Sequence, residues 1–140
     1  MVNRQLFRSG QAATVALLLG LLAGCGQDGP PLGTVTGTVT LDGKPVADAR
    51  ILFQPAEGSP SLAITDDRGN YNLAYAPGKF GAMLGEHQVQ ITTGGLFRMP
   101  DGTEQDRKEI LPDSCHSNSA LVRTVEPGAN VIDFEIRSGQ

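Results

Sequence analysis

The chain has 140 residues, with eleven Lys or Arg against fifteen Asp or Glu and a formal net charge of −4. This excess of acidic residues argues against nucleic acid as a partner and against electrostatic binding to anionic lipid head groups. The length suits one domain plus a tether.

The first element is a short apolar stretch, Ala12 to Ala23, preceded by Arg4 and Arg8. A charged start, an apolar middle of about a dozen residues and small residues before a cleavage point are typical of a secretory signal. The stretch is shorter than the roughly 20 apolar residues that a membrane-spanning helix needs. We therefore predict that residues 1–24 are a targeting segment that is removed from the mature protein.

The apolar stretch ends in Leu22-Ala23-Gly24-Cys25, which resembles the bacterial lipobox. The resemblance implies cleavage between Gly24 and Cys25, a diacylglyceryl group on the Cys25 thiol and, in most cases, an acylated amino group. The alternative is an ordinary secretory signal that happens to contain a cysteine, which leaves the position of Cys25 unexplained. Two or more acyl chains anchor a protein stably. On this prediction Cys115 is the one remaining thiol, so no intramolecular disulfide can form.

Residues 25–33 are rich in Gly, Pro and polar side chains, and they are predicted to be a lipidated, flexible tether. Gly26 follows the cysteine where an Asp would retain a Gram-negative lipoprotein in the inner membrane. The predicted location is therefore the cell envelope, with the protein anchored through Cys25 in the outer membrane or on the outer face of the cytoplasmic membrane.

From Thr34 the pattern has a period of two residues, as in a half-buried strand with a threonine face toward water. Asp42-Gly43 predicts a hairpin turn, with Ala49 to Pro55 as the return strand and Ile51 and Phe53 facing inward.

A second hairpin is predicted around Asp66–Gly69, between a strand in which Leu62 and Ile64 alternate with smaller residues and a strand from Asn70 to Tyr75. Three more strands are predicted around Val89, over Leu121–Val125 and over Ile132–Ile136. No helical period of comparable length occurs after the signal. Seven short strands of this kind indicate an all-β, antiparallel sandwich over residues 34–138.

Three segments carry a family resemblance: Gly37–Val46, Ala49–Phe53 and Thr65–Leu73. They resemble the carboxypeptidase regulatory-like domain, and Gly81, Gly85–Val89, Leu111-Pro112 and Gly128–Asn130 resemble small lipoproteins of this family in planctomycete-type bacteria. The resemblance implies a transthyretin-like or Ig-like seven-stranded β-sandwich. It also implies a non-catalytic accessory or interaction module at the cell surface.

Few residues suggest chemistry. Asp66, Asp67 and Asn70 could contribute oxygens to a calcium site, but the spacing fits a hairpin turn in which Asp66 caps backbone amides and Gly69 takes a positive φ. Cys115-His116 combines a thiol and an imidazole, yet neighbouring side chains on an extended chain point apart. An intermolecular disulfide is the more credible special role for Cys115.

Catalytic residues, a metal site and a cofactor are therefore not predicted. His87 and His116 are too few and too far apart for a zinc signature, and His87 is predicted to be a rim or packed histidine rather than a ligand.

The segment from Gly94 to Ala120 is long for a strand connection. The segment contains the apolar residues Leu96, Phe97 and Met99, and if they are exposed they would suit a site for a protein partner in the envelope. The alternative is a loop whose apolar residues cover one edge of the sandwich. The predicted function is a membrane-anchored, non-catalytic interaction or structural module. A carbohydrate or small-ligand binding lipoprotein is the alternative, and it would require exposed aromatic platforms.

Overall fold

The computed structural model describes residues 29–139. The predicted signal segment 1–24, the cleavage site at Gly24 and Cys25, and the first part of the tether lie outside this range. The described residues form fourteen short strands, one 3₁₀ turn at Asp113–Cys115 and no α-helix, which confirms the all-β fold class. The strands are β1 (Leu32–Leu41), β2 (Lys44–Pro45), β3 (Arg50–Pro55), β4 (Ser61–Ile64), β5 (Asn70–Asn72), β6 (Ala74–Ala76), β7 (Lys79–Phe80), β8 (Ala82–Met83), β9 (Gly85–Thr92), β10 (Gly95–Arg98), β11 (Glu104–Arg107), β12 (Leu121–Val125), β13 (Ala129–Val131) and β14 (Phe134–Ile136).

Two sheets enclose one apolar core. The first is antiparallel throughout, with the strand order β12-β9-β3-β4-β6-β7. The second is built around β1, to which β2, β5 and β8 pair antiparallel. The last two strands, β13 and β14, pair parallel with β1, and the period-two pattern gave no sign of this. The core contains Val35, Val39, Ile51, Phe53, Leu73, Val89, Ile91, Val125 and Phe134, all buried.

Strand β1 forms the spine of the second sheet and begins two residues before the predicted domain start. Its alternation is as predicted, since Val35 and Val39 are fully buried and Thr36 faces outward. Gly37 passes so close to Ile132 that a Cβ atom would lie 1.8 Å from the Ile132 carbonyl oxygen. Close backbone approach therefore explains the glycine in this strand.

The turn predicted at Asp42-Gly43 is present, with φ of 50° and 80° at these two residues. Its return strand differs from the prediction. Only Lys44–Pro45 pairs with β1, whereas Arg50–Pro55 crosses to the other sheet and pairs with β4 and β9. The prediction that Ile51 and Phe53 face inward is confirmed.

The turn at Asp66–Gly69 is also present, but the strand predicted from Asn70 to Tyr75 is divided into β5 and β6, and only β6 pairs antiparallel with β4. Strand β4 pairs with β3 in the first sheet, and β5 pairs with β1 in the second. Thr65 explains which face of β4 is buried, because its hydroxyl donates to the Val46 carbonyl at 2.6 Å and accepts from the Ala49 amide at 2.8 Å. With Thr65 held in the core, Leu62 and Ile64 point to solvent.

Candidate functional site

The long segment after β9 contains a hairpin, β10–β11, rather than an irregular loop. The Glu109 carboxylate stabilises the base of this hairpin through several hydrogen bonds. The hydroxyl of Thr93 donates to Glu109 Oε1 at 2.7 Å, the amide of Gly94 donates to Oε2 at 3.2 Å, and the amide of Leu111 donates to Oε1 at 3.0 Å. The hydroxyl of Thr92 donates to Oε2 as well. One side chain thereby joins the chain before the hairpin to the chain after it.

Burial alone would raise the pKa of Glu109. The hydrogen bonds that its carboxylate accepts from Thr92, Thr93 and Leu111 outweigh burial and bring the pKa down to about 2. The carboxylate is consequently ionised at neutral pH, and its negative charge is part of what holds the hairpin in place.

The second attachment of the hairpin is the ring of Phe97. The guanidinium carbon of Arg50 lies 4.5 Å from the ring centroid and that of Arg107 lies 4.9 Å from it. Arg107 also reaches Asp48 at 3.2 Å. Phe97 is only 7% exposed as a result, so it attaches the hairpin to the outer side of the first sheet and does not face solvent.

The hairpin presents other apolar side chains to solvent. Leu96 is 61% exposed, and Met99 is half-buried at the start of the tip. The tip is ordered by Asp101, whose carboxylate accepts the hydroxyl of Thr103 at 2.6 Å and its amide at 2.9 Å. These two bonds lower the pKa of Asp101. Of the three predicted contact residues, Leu96 is therefore the most accessible.

A second exposed apolar feature lies on the outer face of the first sheet. The register places Phe80 of β7 opposite Ala74 of β6, Ala74 opposite Leu62 of β4, and Leu62 opposite Leu52 of β3. Because paired residues share a face, these four side chains form one row across four strands. We call Phe80, Ala74, Leu62 and Leu52 the apolar row. Phe80 is 58% exposed, and Ile64, two residues beyond Leu62, is exposed too.

The turn residues behave as the turn interpretation predicts. Asp66 Oδ1 accepts the amides of Arg68 and Asn70 at 2.9 Å each, and Gly69 has a φ of 77°. These bonds lower the pKa of Asp66, the Asn70 amide being the main cause. Its carboxylate is thereby used to hold the turn.

Cys115 and His116 do not form a reactive pair. Cys115 is 4% exposed, and burial raises the pKa of its thiol. His116 Nδ1 lies 2.8 Å from Ser117 Oγ, and its Nε2 lies 3.2 Å from the Leu111 carbonyl oxygen. A buried thiol is also poorly placed for the intermolecular disulfide suggested for Cys115 as the remaining free thiol.

His87 is packed in the core as predicted. Its Nε2 donates to the Met83 carbonyl oxygen at 2.7 Å, and its ring lies 5.7 Å from that of Phe53. Its Nδ1 is buried and has no hydrogen-bond partner among the described residues.

Residues 29–139 hold no group of three or more His, Cys, Asp or Glu side chains with the geometry of a metal site. Within the same range, no helix has the length and apolar character needed to cross a membrane. Cys25 and Gly24 lie outside it, so lipidation and cleavage stay predictions.

A scan against models of protein families finds no match for this sequence, and a search of curated proteins finds none either. Several solved structures are similar in shape. BcpA, the major pilin subunit of Bacillus cereus, is 12% identical with a TM-score of 0.45, over 79% of this chain and 31% of the pilin. A DUF3823 family protein from Parabacteroides merdae is 12% identical with a TM-score of 0.41, over 77% of this chain and 47% of that protein. A 9R-lipoxygenase from Cyanothece is 15% identical with a TM-score of 0.35, over 72% of this chain and 16% of the enzyme.

The chain thus spans less than half the length of each of these proteins. Scores and identities at this level describe loose similarity of shape and assign no activity. The resemblance to the carboxypeptidase regulatory-like domain and to planctomycete lipoproteins stays a prediction.

Sequence reasoning missed two features of this site. Glu109 is one of several charges in a hydrophilic stretch, and no local pattern distinguishes it. The apolar row was missed because a period of two defines two faces of a strand without saying which one meets the core. The alternation of Ser61, Ala63 and Thr65 with Leu62 and Ile64 was visible, but it did not tell which of the two sets is buried.

Proposed function

We propose that the protein is a lipid-anchored lipoprotein of the cell envelope whose β-sandwich is a non-catalytic interaction module. The anchor is Cys25, exposed by cleavage after Gly24, and the contact site for an envelope protein is the hairpin β10–β11 with Leu96 and Met99. The observation that supports this function best is the hairpin itself. It is held in one conformation by an ionised carboxylate and a stacked ring, yet it presents Leu96 to solvent.

Pre-organisation supports the contact role. A loop that is already ordered loses less conformational entropy when it binds, so more of its contact energy appears as affinity. Glu109 orders the base of the hairpin, Phe97 fixes its side and Asp101 orders its tip. Leu96 is left as a large apolar side chain on a rigid support, which is how binding residues are commonly placed.

A non-catalytic role is supported by the positions of the potentially reactive groups. Cys115 is buried with a raised pKa, and both nitrogens of His116 lie within hydrogen-bonding distance of neighbours. Covalent catalysis would need an accessible nucleophile beside a free base.

The carbohydrate-binding alternative is less well supported. Sugar platforms need exposed aromatic rings, and Tyr71 is buried with its hydroxyl donating to the Ile132 carbonyl oxygen at 2.6 Å. Phe80 is exposed, but the other members of its row are aliphatic. Phe97 is covered by two guanidinium groups.

Mass spectrometry of the N-terminal peptide of protein from bacterial envelopes tests the anchor. We expect the chain to begin at Cys25 and to carry the added mass of the acyl groups, and a Cys25→Ala variant to leave the membrane fraction. A chain that retains residues 1–24, or that begins at an unmodified Cys25, would refute the anchor.

Site-specific photo-crosslinking tests the contact site. A photoreactive amino acid replaces Leu96 in one variant and Val131 in the control, because Val131 is 75% exposed on the other sheet. We expect a discrete protein adduct from position 96 alone. The adduct should weaken when Glu109→Gln is added, since the base of the hairpin then loosens. Equal adducts from both positions, or lipid alone at position 96, would contradict the proposal.

A further inference from the structure

The described chain enters the fold at the edge formed by β7 and β8. Gly29 lies beside Lys79, because a Cβ atom on Gly29 would be 3.5 Å from the ammonium nitrogen. Leu32 then pairs with Met83 of β8. Cys25 precedes Gly29 by four residues, and four residues span at most about 14 Å. The β7 edge of the first sheet is therefore within a short reach of Cys25.

The apolar row begins at this same edge. Phe80 is its outermost member, next to Lys79, and the row continues inward through Ala74 and Leu62. Exposed apolar side chains that lie next to one another on a folded protein mark a surface that contacts something other than water.

The strands that form the row carry few charges. Strands β3, β4, β6 and β7 contain two charged residues, Arg50 and Lys79, and both are basic. The chain as a whole is acidic, with a net charge of −4. Neither basic residue belongs to the row, because Arg50 stacks on Phe97 and Lys79 lies beside Gly29. The row is therefore apolar throughout, which suits contact with the apolar part of a bilayer.

We propose that the apolar row rests on the lipid bilayer that holds the acyl chains of Cys25, with Phe80 and Leu62 in the interfacial layer. This inference rests on the lipid anchor of the proposed function. The anchor brings the domain to the membrane, and the row then selects which face of the sandwich meets the lipid. Val131, on the outer side of the opposite sheet, faces away from the bilayer.

Apolar burial drives this contact more than charge does. The loops near the chain entry carry exposed Glu57 and Glu126, which an anionic surface would repel. We therefore expect the contact to form on a zwitterionic membrane, because removal of apolar area from water does not depend on head-group charge.

The absence of tryptophan from the sequence makes a direct test possible. Three full-length, lipidated variants carry one indole each: Phe80→Trp, Leu62→Trp and, as control, Val131→Trp. All three positions are exposed, so the substitutions leave the core intact. Each variant is reconstituted into phosphatidylcholine vesicles with either plain or brominated acyl chains. Flotation and mass spectrometry of Cys25 establish that the protein is anchored.

We expect brominated lipid to reduce the emission of the indoles at positions 80 and 62 and to leave the indole at position 131 unchanged. The emission of the first two should also shift to shorter wavelength when vesicles are added. Protein that floats with equal quenching at all three positions, or with none, would refute the lipid contact and leave the anchor intact. A wavelength shift that needs higher protein concentration but no vesicles would assign the row to a second copy of the chain and overturn the lipid contact. Protein that does not float would refute anchor and contact together.

Discussion

Replacement of Glu109 by Gln tests whether one carboxylate holds the hairpin in place. The change keeps the size of the side chain but removes its charge and places an NH₂ group where an oxygen now accepts the amide of Gly94 or the hydroxyl of Thr93. The pKa of Glu109 falls from 4.5 to about 2 in the folded protein. At about 1.4 kcal/mol per pH unit, this shift would correspond to about 3 kcal/mol. The side chain is 25% exposed, and solvent screening reduces the expected loss of unfolding free energy to about 2 kcal/mol.

The effect of Glu109→Gln on stability should depend on pH in a defined direction. A carboxyl group whose pKa is lower in the folded state stabilises the fold above its unfolded pKa, and this contribution disappears as pH falls through the folded value. The stability difference between the wild type and Glu109→Gln should therefore be full at pH 7 and shrink between about pH 5 and pH 2. Other carboxyl groups titrate in the same range, but they are common to both proteins and cancel in the difference.

Urea unfolding at several pH values measures this difference, and thermal unfolding at pH 7 should show a midpoint lowered by about 10 °C. Glu104→Gln is the matched control, since Glu104 lies on the same hairpin and makes one exposed contact with Arg98 at 3.8 Å. The control should change stability by less than about 0.5 kcal/mol. A Glu109→Gln effect that is equally large at pH 7 and pH 2 would refute the role given to the carboxylate.

Three further outcomes follow from contacts described above. Phe97→Ala should lower the unfolding free energy by about 2 kcal/mol and speed hydrogen exchange in β10 and β11. Leu96→Ala should change the unfolding free energy by no more than about 0.5 kcal/mol. Similar effects of the two substitutions would contradict the stacked position of Phe97. Tyr71→Phe should lower the unfolding free energy by about 1 kcal/mol because the Ile132 carbonyl loses its donor, and unchanged stability in urea would argue against that bond. Cys115 should react slowly with a thiol reagent in native protein and rapidly in denaturant, because burial raises the pKa of the thiol and blocks access to it. Fast labelling of the native protein would contradict the burial of Cys115 in the turn Asp113–Cys115.

The sequence predicted the elements of this fold better than their partners. Period-two alternation located β1, β3 and β9 and their inward residues, because strand geometry alone sets that pattern. Asp42-Gly43 and Asp66–Gly69 were identified as turns, because positive φ and side-chain capping are local properties. The turn at Asp66–Gly69 leads from the first sheet into the second, however, and after Asp42-Gly43 only the short β2 stays beside β1 before β3 joins the other sheet. A local signal does not say how far the next strand stays in the same sheet.

The site was predicted in part for the same reason. Leu96 and Phe97 were found from their apolar character in a charged segment, but only the fold shows that Arg50, far away in sequence, covers Phe97. Glu109 acts on residues that precede it by fifteen or more positions, so its role depends on long-range geometry. The buried face of β4 was likewise decided by the bonds of Thr65 to a distant segment.

The parallel pairing of β1 with the last two strands has a mechanical consequence. Val39 lies beside Phe134 and Leu41 beside Ile136, so the first strand and the final strand run in the same direction side by side. A force that pulls the start of β1 away from the end of β14 acts along both strands and strains all of their shared hydrogen bonds together. A zipper geometry would instead break these bonds one after another. The hydrogen bonds between β1 and β14 therefore resist, as a group, a stretching force applied between the two ends of the domain.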